Sequence, residues 1–309
     1  MCAVTNKQNK DSVKNLSVFV QQNGAECDFN NSDSWVILSP IEQSIKQKIE
    51  AVGTPLKDWD IQINYGIKTG FNDAFIISTE KRNEILANCQ TEDERTRTAE
   101  LIRPILRGRD IKRYGYDWAN LWLINTHNGI KGKVPRIHIE DYPAVKAHLD
   151  QYWDKISKRA DKGDTPYNLR NCAYLEDFSK PKIIYPNMTK YMPFVYDDKA
   201  YCTNQKCFII TGQSIAYLTA FFNSSLFKFC FHESFPELQG GTREMSKIFF
   251  DKIPVMQVTN ETNTQFKSVV DDIQNVYNKS KAMAIDTMIF DLYNLSDKER
   301  QIIGFVEIE

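Results

Sequence analysis

The sequence has no apolar run of about 18 residues, the length a helix needs to cross a bilayer, so it offers no membrane span. Its first stretch, Met1 to Lys14, is polar, carries Lys7, Lys10 and Lys14, and has no apolar h-region of the kind a secretory signal needs. Seven scattered cysteines do not make a disulfide scaffold, and their odd number fits a reducing, cytoplasmic setting. Charge of neither sign is in excess: 39 Lys+Arg face 40 Asp+Glu. The overall balance therefore says nothing about nucleic acid. Several catalytic signatures are missing too. There is no Gly-rich phosphate loop, no G-x-G-x-x-G fingerprint and no G-x-S-x-G elbow. Cys202 and Cys207 lack a second pair at zinc spacing and read as small buried thiols. His138-Ile139-Glu140 resembles half of a deaminase motif, but the P-C-x-x-C half is absent. Asp110-Ile111-Lys112 and Asp197-Asp198-Lys199 have the acid-x-Lys spacing of metal-dependent nucleases, with no upstream Pro-Asp beside either. No catalytic residue, cofactor-binding residue or metal ligand is assigned.

What is present is an ordinary globular composition, 42% apolar and 26% charged, enough for a substantial core. Ser39-Pro40-Ile41-Glu42 is a helix start: a Ser cap, Pro at the first position and Glu closing a capping box, with Gly53 as the stop. Short runs at Ile61 to Ile63, Ala74 to Ile77, Leu121 to Ile124, Lys182 to Tyr185, Phe194 to Tyr196 and Cys207 to Thr211 read as strands. A helix precedes Arg103-Pro104, another opens at Pro143, and an apolar one runs from Ser214 to about Phe231. The last fifty residues turn helical. Phe266, Val269, Val270, Ile273, Val276 and Tyr277 form one stripe, and Ile285, Met288, Ile289, Leu292 and Tyr293 form another. Ser296-Asp297-Lys298-Glu299 is a second capping box. The fold class is α+β: a mixed β-sheet body over residues 31–256 followed by a C-terminal helical subdomain over 257–309. Residues 1–30 read as a linker or the remnant of an upstream domain.

Charge is uneven along the chain. Residues 61–215 hold 24 basic and 19 acidic residues, whereas 257–309 hold 5 and 9. This asymmetry suits a middle region that meets an anion. Four segments carry candidate contacts. In Gly66-Ile67-Lys68-Thr69-Gly70-Phe71-Asn72-Asp73, Lys68, Thr69 and Asn72 can donate to phosphates, and Asn72 can read a base edge; the other reading is a hairpin connection facing water. Arg103 to Arg113 packs five cations around Asp110 within eleven residues. Guanidinium forks on a Gly-containing loop match paired phosphate oxygens or guanine, unless the arginines pair with Asp110 inside the fold. Lys180 to Lys190 is an apolar strand core bounded by cations and Thr189, and taken alone its lysines read as gatekeepers. In Gln239-Gly240-Gly241-Thr242-Arg243, Thr242 and Arg243 could touch a backbone, or the segment is a connector.

Taken in order, these segments resemble the TaqI-like C-terminal specificity domain, the target-recognition domain of type IIG restriction–modification enzymes and related adenine-N6 DNA methyltransferases. The matching stretches are Gly66 to Phe75, Ile102 to Tyr114, Lys180 to Tyr185, Tyr217-Leu218 with Phe222-Asn223-Ser224-Ser225-Leu226, Lys252-Ile253-Pro254, and Ile285-Asp286 through Asp291-Leu292-Tyr293-Asn294-Leu295. The resemblance implies sequence-specific recognition of double-stranded DNA. Methyltransferase and endonuclease domains, in the same or a separate polypeptide, would supply S-adenosylmethionine and Mg chemistry; the Asn-Pro-Pro-Tyr methyltransferase motif does not occur here. The DNA-binding residues carried over are Lys68, Thr69, Asn72, Arg107, Arg109, Lys112 and Arg113, with Thr242 and Arg243 added. An alternative role for Arg109 is to buttress its loop through Asp110. Gly66, Gly70 and Gly108 shape the backbone. The C-terminal helices would pack on partner domains. Two rival readings stand beside this one: a protein–protein docking module with a basic loop, and a standalone metal-dependent nuclease.

Overall fold

The computed structural model describes residues 2–3, 15–25 and 39–307. Residues 1, 4–14 and 26–30 of the stretch read as a linker lie outside the described residues; Leu16–Asn23 within it is a helix. No helix among the described residues is long and apolar enough to cross a membrane.

Two four-stranded sheets form the body. Eight strands make them: β1 (Ile61–Tyr65), β2 (Ile76–Ser78), β3 (Ile102–Leu106), β4 (Leu121–Ile124), β5 (Lys182–Pro186), β6 (Val195–Asp197), β7 (Cys202–Thr203) and β8 (Cys207–Gly212). The first sheet has the order β6-β5-β8-β1 and is antiparallel throughout, with Ile184 opposite Ile209 and Ile210 opposite Ile63. The second has the order β7-β3-β4-β2, in which only the β7–β3 pair is parallel. Two expectations need correcting. Ala74 and Phe75 belong to a short helical turn, Asn72–Phe75, so the strand starts at Ile76. The Arg103 to Arg113 segment is no open loop: it is strand β3, a 3₁₀ turn at Gly108–Asp110 and the short strand Ile111–Lys112.

The first sheet is the middle layer. Every residue of β5 is buried, because successive side chains point to opposite faces and both faces are covered. Ile183 and Tyr185 join one apolar cluster, and Ile184 joins the other. The Ile184 side packs with the second sheet and with α3 (Glu92–Leu101) and α4 (Pro143–Asp150), which follow α1 (Pro40–Val52) and α2 (Thr79–Ala87). The Ile183 side packs against α5 (Ile215–Asn223), α6 (Ser225–Phe231), α7 (Asn260–Asn275), α8 (Lys279–Leu292) and α9 (Asp297–Ile303). Phe266, Val270, Ile273, Ile285 and Ile289 are all buried in that cluster with Ile183 and Ile210. The apolar stripes of the C-terminal helices are thus largely used inside the chain. Val276 and Tyr277 lie past the end of α7 and are exposed.

Polar staples hold these layers in register. Asn223, fully buried at the end of α5, accepts from Phe194 N–H at 3.1 Å and donates to Phe194 O at 2.7 Å. Ser225 donates to the buried Asp286 of α8 through both its backbone N–H and its hydroxyl. Lys182, expected as a gatekeeper, is instead fully buried and pairs with Asp197 at 2.5 Å. The two capping boxes form as expected at Ser39/Glu42 and Ser296/Glu299. Glu299 does more than cap. Burial alone would raise its pKa, but donors from Lys48, Ser296 and Ser44 outweigh it and bring the carboxyl down to about 2. It thereby ties α9 to α1.

These staples are open to direct measurement. Asn223→Ala strands a buried N–H and C=O of Phe194, and should lower unfolding free energy by about 3–4 kcal/mol with an unchanged m-value in urea. Glu299 has a folded pKa below its ordinary 4.5, so its contribution is present above that value and fades as pH falls toward 2. Glu299→Gln should therefore cost about 2–3 kcal/mol at neutral pH and flatten the loss of stability in acid, read by thermal unfolding across pH.

Candidate nucleic-acid interface

The turn after β3 is set by one carboxylate. Asp110 is buried and accepts from Arg107 three times, from its backbone N–H at 2.8 Å, Nε at 3.0 Å and Nη2 at 2.8 Å. Those bonds hold the Arg107 guanidinium pKa above its ordinary value. The buttress through Asp110 is therefore Arg107, not Arg109. Arg109 is exposed and has no hydrogen-bond or ion-pair partner among the described residues. Gly108 permits a close approach: a Cβ there would lie 3.0 Å from Lys206 O.

This turn forms one wall of a cleft of about 720 Å³. Pro186, Met188, Thr189, Lys190, Tyr191 and Pro193 form a second wall, and Asn72, Asn204 and Lys206 complete it. Among the described residues the cleft is lined by six cations, Arg107, Arg109, Lys112, Arg113, Lys190 and Lys206, and by no acid. Gly66 makes the seam possible. Its N–H donates to Cys207 O at 2.9 Å, and a Cβ there would sit 2.1 Å from Asn204 O. The first and third sequence segments thus meet the second around one hollow.

The candidate residues divide. Asn72, Arg107, Arg109, Lys112 and Arg113 line the cleft; Lys68, Thr69, Thr242 and Arg243 do not. Lys68 lies over the Tyr65 ring, and Thr69 is buried and donates to Asn72 Oδ1 at 2.6 Å, fixing that amide at the rim. Lys112 faces Asp117 at 3.7 Å across an exposed gap, an interaction worth little in water. Arg113 lines the cleft but is buried, its guanidinium donating to Asn223 O at 2.7 Å and Val306 O at 3.1 Å. Arg243 is buried as well and donates to Phe235 O, Glu233 and Glu237. Thr242 Oγ1 donates to Gln239 O at 3.1 Å. Both Arg113 and Arg243 spend their Nη donors on the fold, which lowers the cost of taking a guanidinium out of water. Sequence reasoning missed Lys206, Asn204 and Tyr191, and it left Lys190 as a flanking lysine. Lys206 stands in a segment that no motif marks, and the pairing of Pro186 with Cys207 and of Asn187 N–H with Lys206 O brings it to the segment that carries Lys190.

The acid-x-Lys triplets are structural. Asp110 is taken by Arg107, and Asp197 by Lys182 and the backbone N–H groups of Lys199 and Tyr201. Among the described residues no group of three or more His, Cys, Asp and Glu is placed to hold a metal ion.

A family model of the TaqI-like C-terminal specificity domain matches residues 103–255, which include both walls of the cleft. Residues 103–255 are a TaqI-like C-terminal specificity domain. The specificity domain has a curated relative in the type II methyltransferase M.BanIII of Aneurinibacillus aneurinilyticus, 24% identical over 157 residues that cover 48% of this chain and 25% of that protein. Two solved structures share its fold at 13% identity, and each match covers 82% of this chain. One is the type IIG restriction endonuclease BpuSI, at TM-score 0.50 over 33% of that chain. The other is the type IIL restriction–modification enzyme MmeI in complex with DNA, at TM-score 0.52 over 34%. The chain spans only a quarter to a third of these relatives.

The cleft separates scaffold cations from free ones. Arg107→Ala should leave Asp110 buried without its partner and cost about 2–4 kcal/mol in urea unfolding. Arg109→Ala should stay within about 0.5 kcal/mol of the parent. Equal losses in the two variants would contradict this division.

Proposed function

We propose that this chain recognises a DNA sequence and positions the duplex for adenine-N6 methylation and cleavage by domains that lie outside residues 1–309, in the same or a separate polypeptide. The observation that carries the reading is the acid-free cleft, into which three distant segments of a near-neutral chain place six cations. Such a local concentration of positive charge suits a polyanionic backbone. Specificity-domain membership and the fold shared with a DNA-bound restriction–modification enzyme support it. S-adenosylmethionine and Mg²⁺ would serve the partner domains.

In this reading Arg109, Lys112, Lys190 and Lys206 contact phosphates, and Asn72, pinned by Thr69, reaches a base edge. Arg107, Arg113 and Arg243 hold the walls. Lys68 and Thr242, outside the cleft lining, would contact backbone only where the duplex runs past it. The recognition body is assigned to residues 31–256, of which 39–256 are described, and the described residues 257–307 brace it from behind.

Binding to random-sequence duplex, followed by fluorescence anisotropy, should weaken as salt rises. The slope of log K against log salt should shallow by about 0.9 for each phosphate that a substitution leaves unneutralised. Replacing Arg109, Lys190 and Lys206 together by Ala should therefore shallow it by about 2.7. A salt slope that the triple variant leaves untouched would exclude the cleft as the DNA surface.

A further inference from the structure

Phosphate binding leaves one feature of the cleft unused. Met188 and Tyr191 line it, and each is 48% exposed, whereas its other large apolar lining residue, Ile111, is buried. The Tyr191 ring has no aromatic, cationic or hydrogen-bonding partner among the described residues. Nor is the ring on a loose loop. Tyr191 N–H donates to Thr189 Oγ1 at 3.1 Å, and Met188–Thr189 pair antiparallel with Arg243–Glu244. The next residue, Met192, is buried with a left-handed φ of 50°, and its carbonyl accepts from the buried Lys228 ammonium. A turn pinned at both ends therefore presents the ring outward. Tyr191 also borders a second hollow of about 330 Å³, which shares Lys190 with the first. It stands as a ridge between the two.

A fully stacked duplex offers a cationic wall its phosphates and sugars, while its base faces cover one another. An exposed ring flanked by free ammonium and guanidinium groups matches something else. The cations suit the backbone and the ring suits the π-face of a base that has left its stack. Met188 beside it is the kind of unbranched apolar side chain that wedges into a base step. We propose that this ridge, with Tyr191 at its crest, stacks on a base displaced from the duplex, so that the cleft binds locally opened DNA more tightly than fully paired DNA. The proposal rests on the cleft being a DNA surface.

The test compares anisotropy titrations of the full chain with a paired duplex and with the same duplex carrying a central mismatch or an abasic site. The parent should prefer the opened duplexes by about tenfold, the scale of one base–aromatic stack. Tyr191→Ala should abolish the preference and keep the salt slope, Tyr191→Phe should retain the preference, and Met188→Ala should reduce it. Replacement of the exposed Tyr191 should leave thermal unfolding unchanged, so loss of preference is not loss of fold. Salt-dependent binding with no preference, or a preference that survives Tyr191→Ala, overturns the ridge and leaves the DNA reading standing. No binding to any duplex at low salt overturns both.

Discussion

One buried amide organises this molecule. Asn223 closes a two-way hydrogen bond with the backbone of Phe194, and its own carbonyl receives the Arg113 guanidinium, whose other arm reaches Val306 O. Four parts of the chain meet there: the end of α5, the backbone that follows the Tyr191 turn, the strand leaving the basic turn, and the C-terminal tail. Asn223, Phe194 and Arg113 are buried, so each bond among them spares a donor or acceptor from being left unpaired. The cleft walls are consequently fixed to the helical half of the structure, although no side chain of α7 or α8 lines the cleft.

Around that point the first sheet acts as a shared middle layer. Its two faces feed two apolar clusters, one rich in rings such as Phe194, Phe222, Phe227 and Phe250, whose centroids lie 5.0–6.1 Å apart where they pair. The cleft opens where β5 ends at Pro186 and where the chain turns into β8. Asp110 offsets Arg107 beneath the turn, and among the described residues no acid lines the cleft beside the other five cations. A near-neutral chain can thus carry a basic hollow, because its charges are unevenly distributed over its surface.

What was legible in the sequence was local. The capping boxes at Ser39 and Ser296 declare themselves within four residues, and the strand runs and helical stripes report burial directly. The family pattern was legible for a related reason: Arg113, Asn223, Ser225 and Asp286 are residues the fold needs. The fate of individual cations was not. Arg113 finds its acceptors 110 and 193 residues away, and nothing nearby distinguishes it from Arg109, which faces solvent. Lys182 and Lys190 flank the same strand, yet one is buried against Asp197 and the other lines the cleft.

The seam at Gly66 has a consequence for how such a molecule can change over generations. The frame around the cleft is closed by main-chain bonds: Gly66 N–H to Cys207 O, Ile67 N–H to Thr203 O, Asn187 N–H to Lys206 O and Met245 N–H to Asn187 O. Apart from Gly66, where a Cβ would meet Asn204 O, bonds of this type use only main-chain atoms and do not depend on the side chains of the residues that make them. Positions 109, 188, 190, 191 and 206 can therefore drift in residue type while the frame stays put. A lineage of these proteins can change the chemistry of the rim by point substitution without first re-inventing its fold.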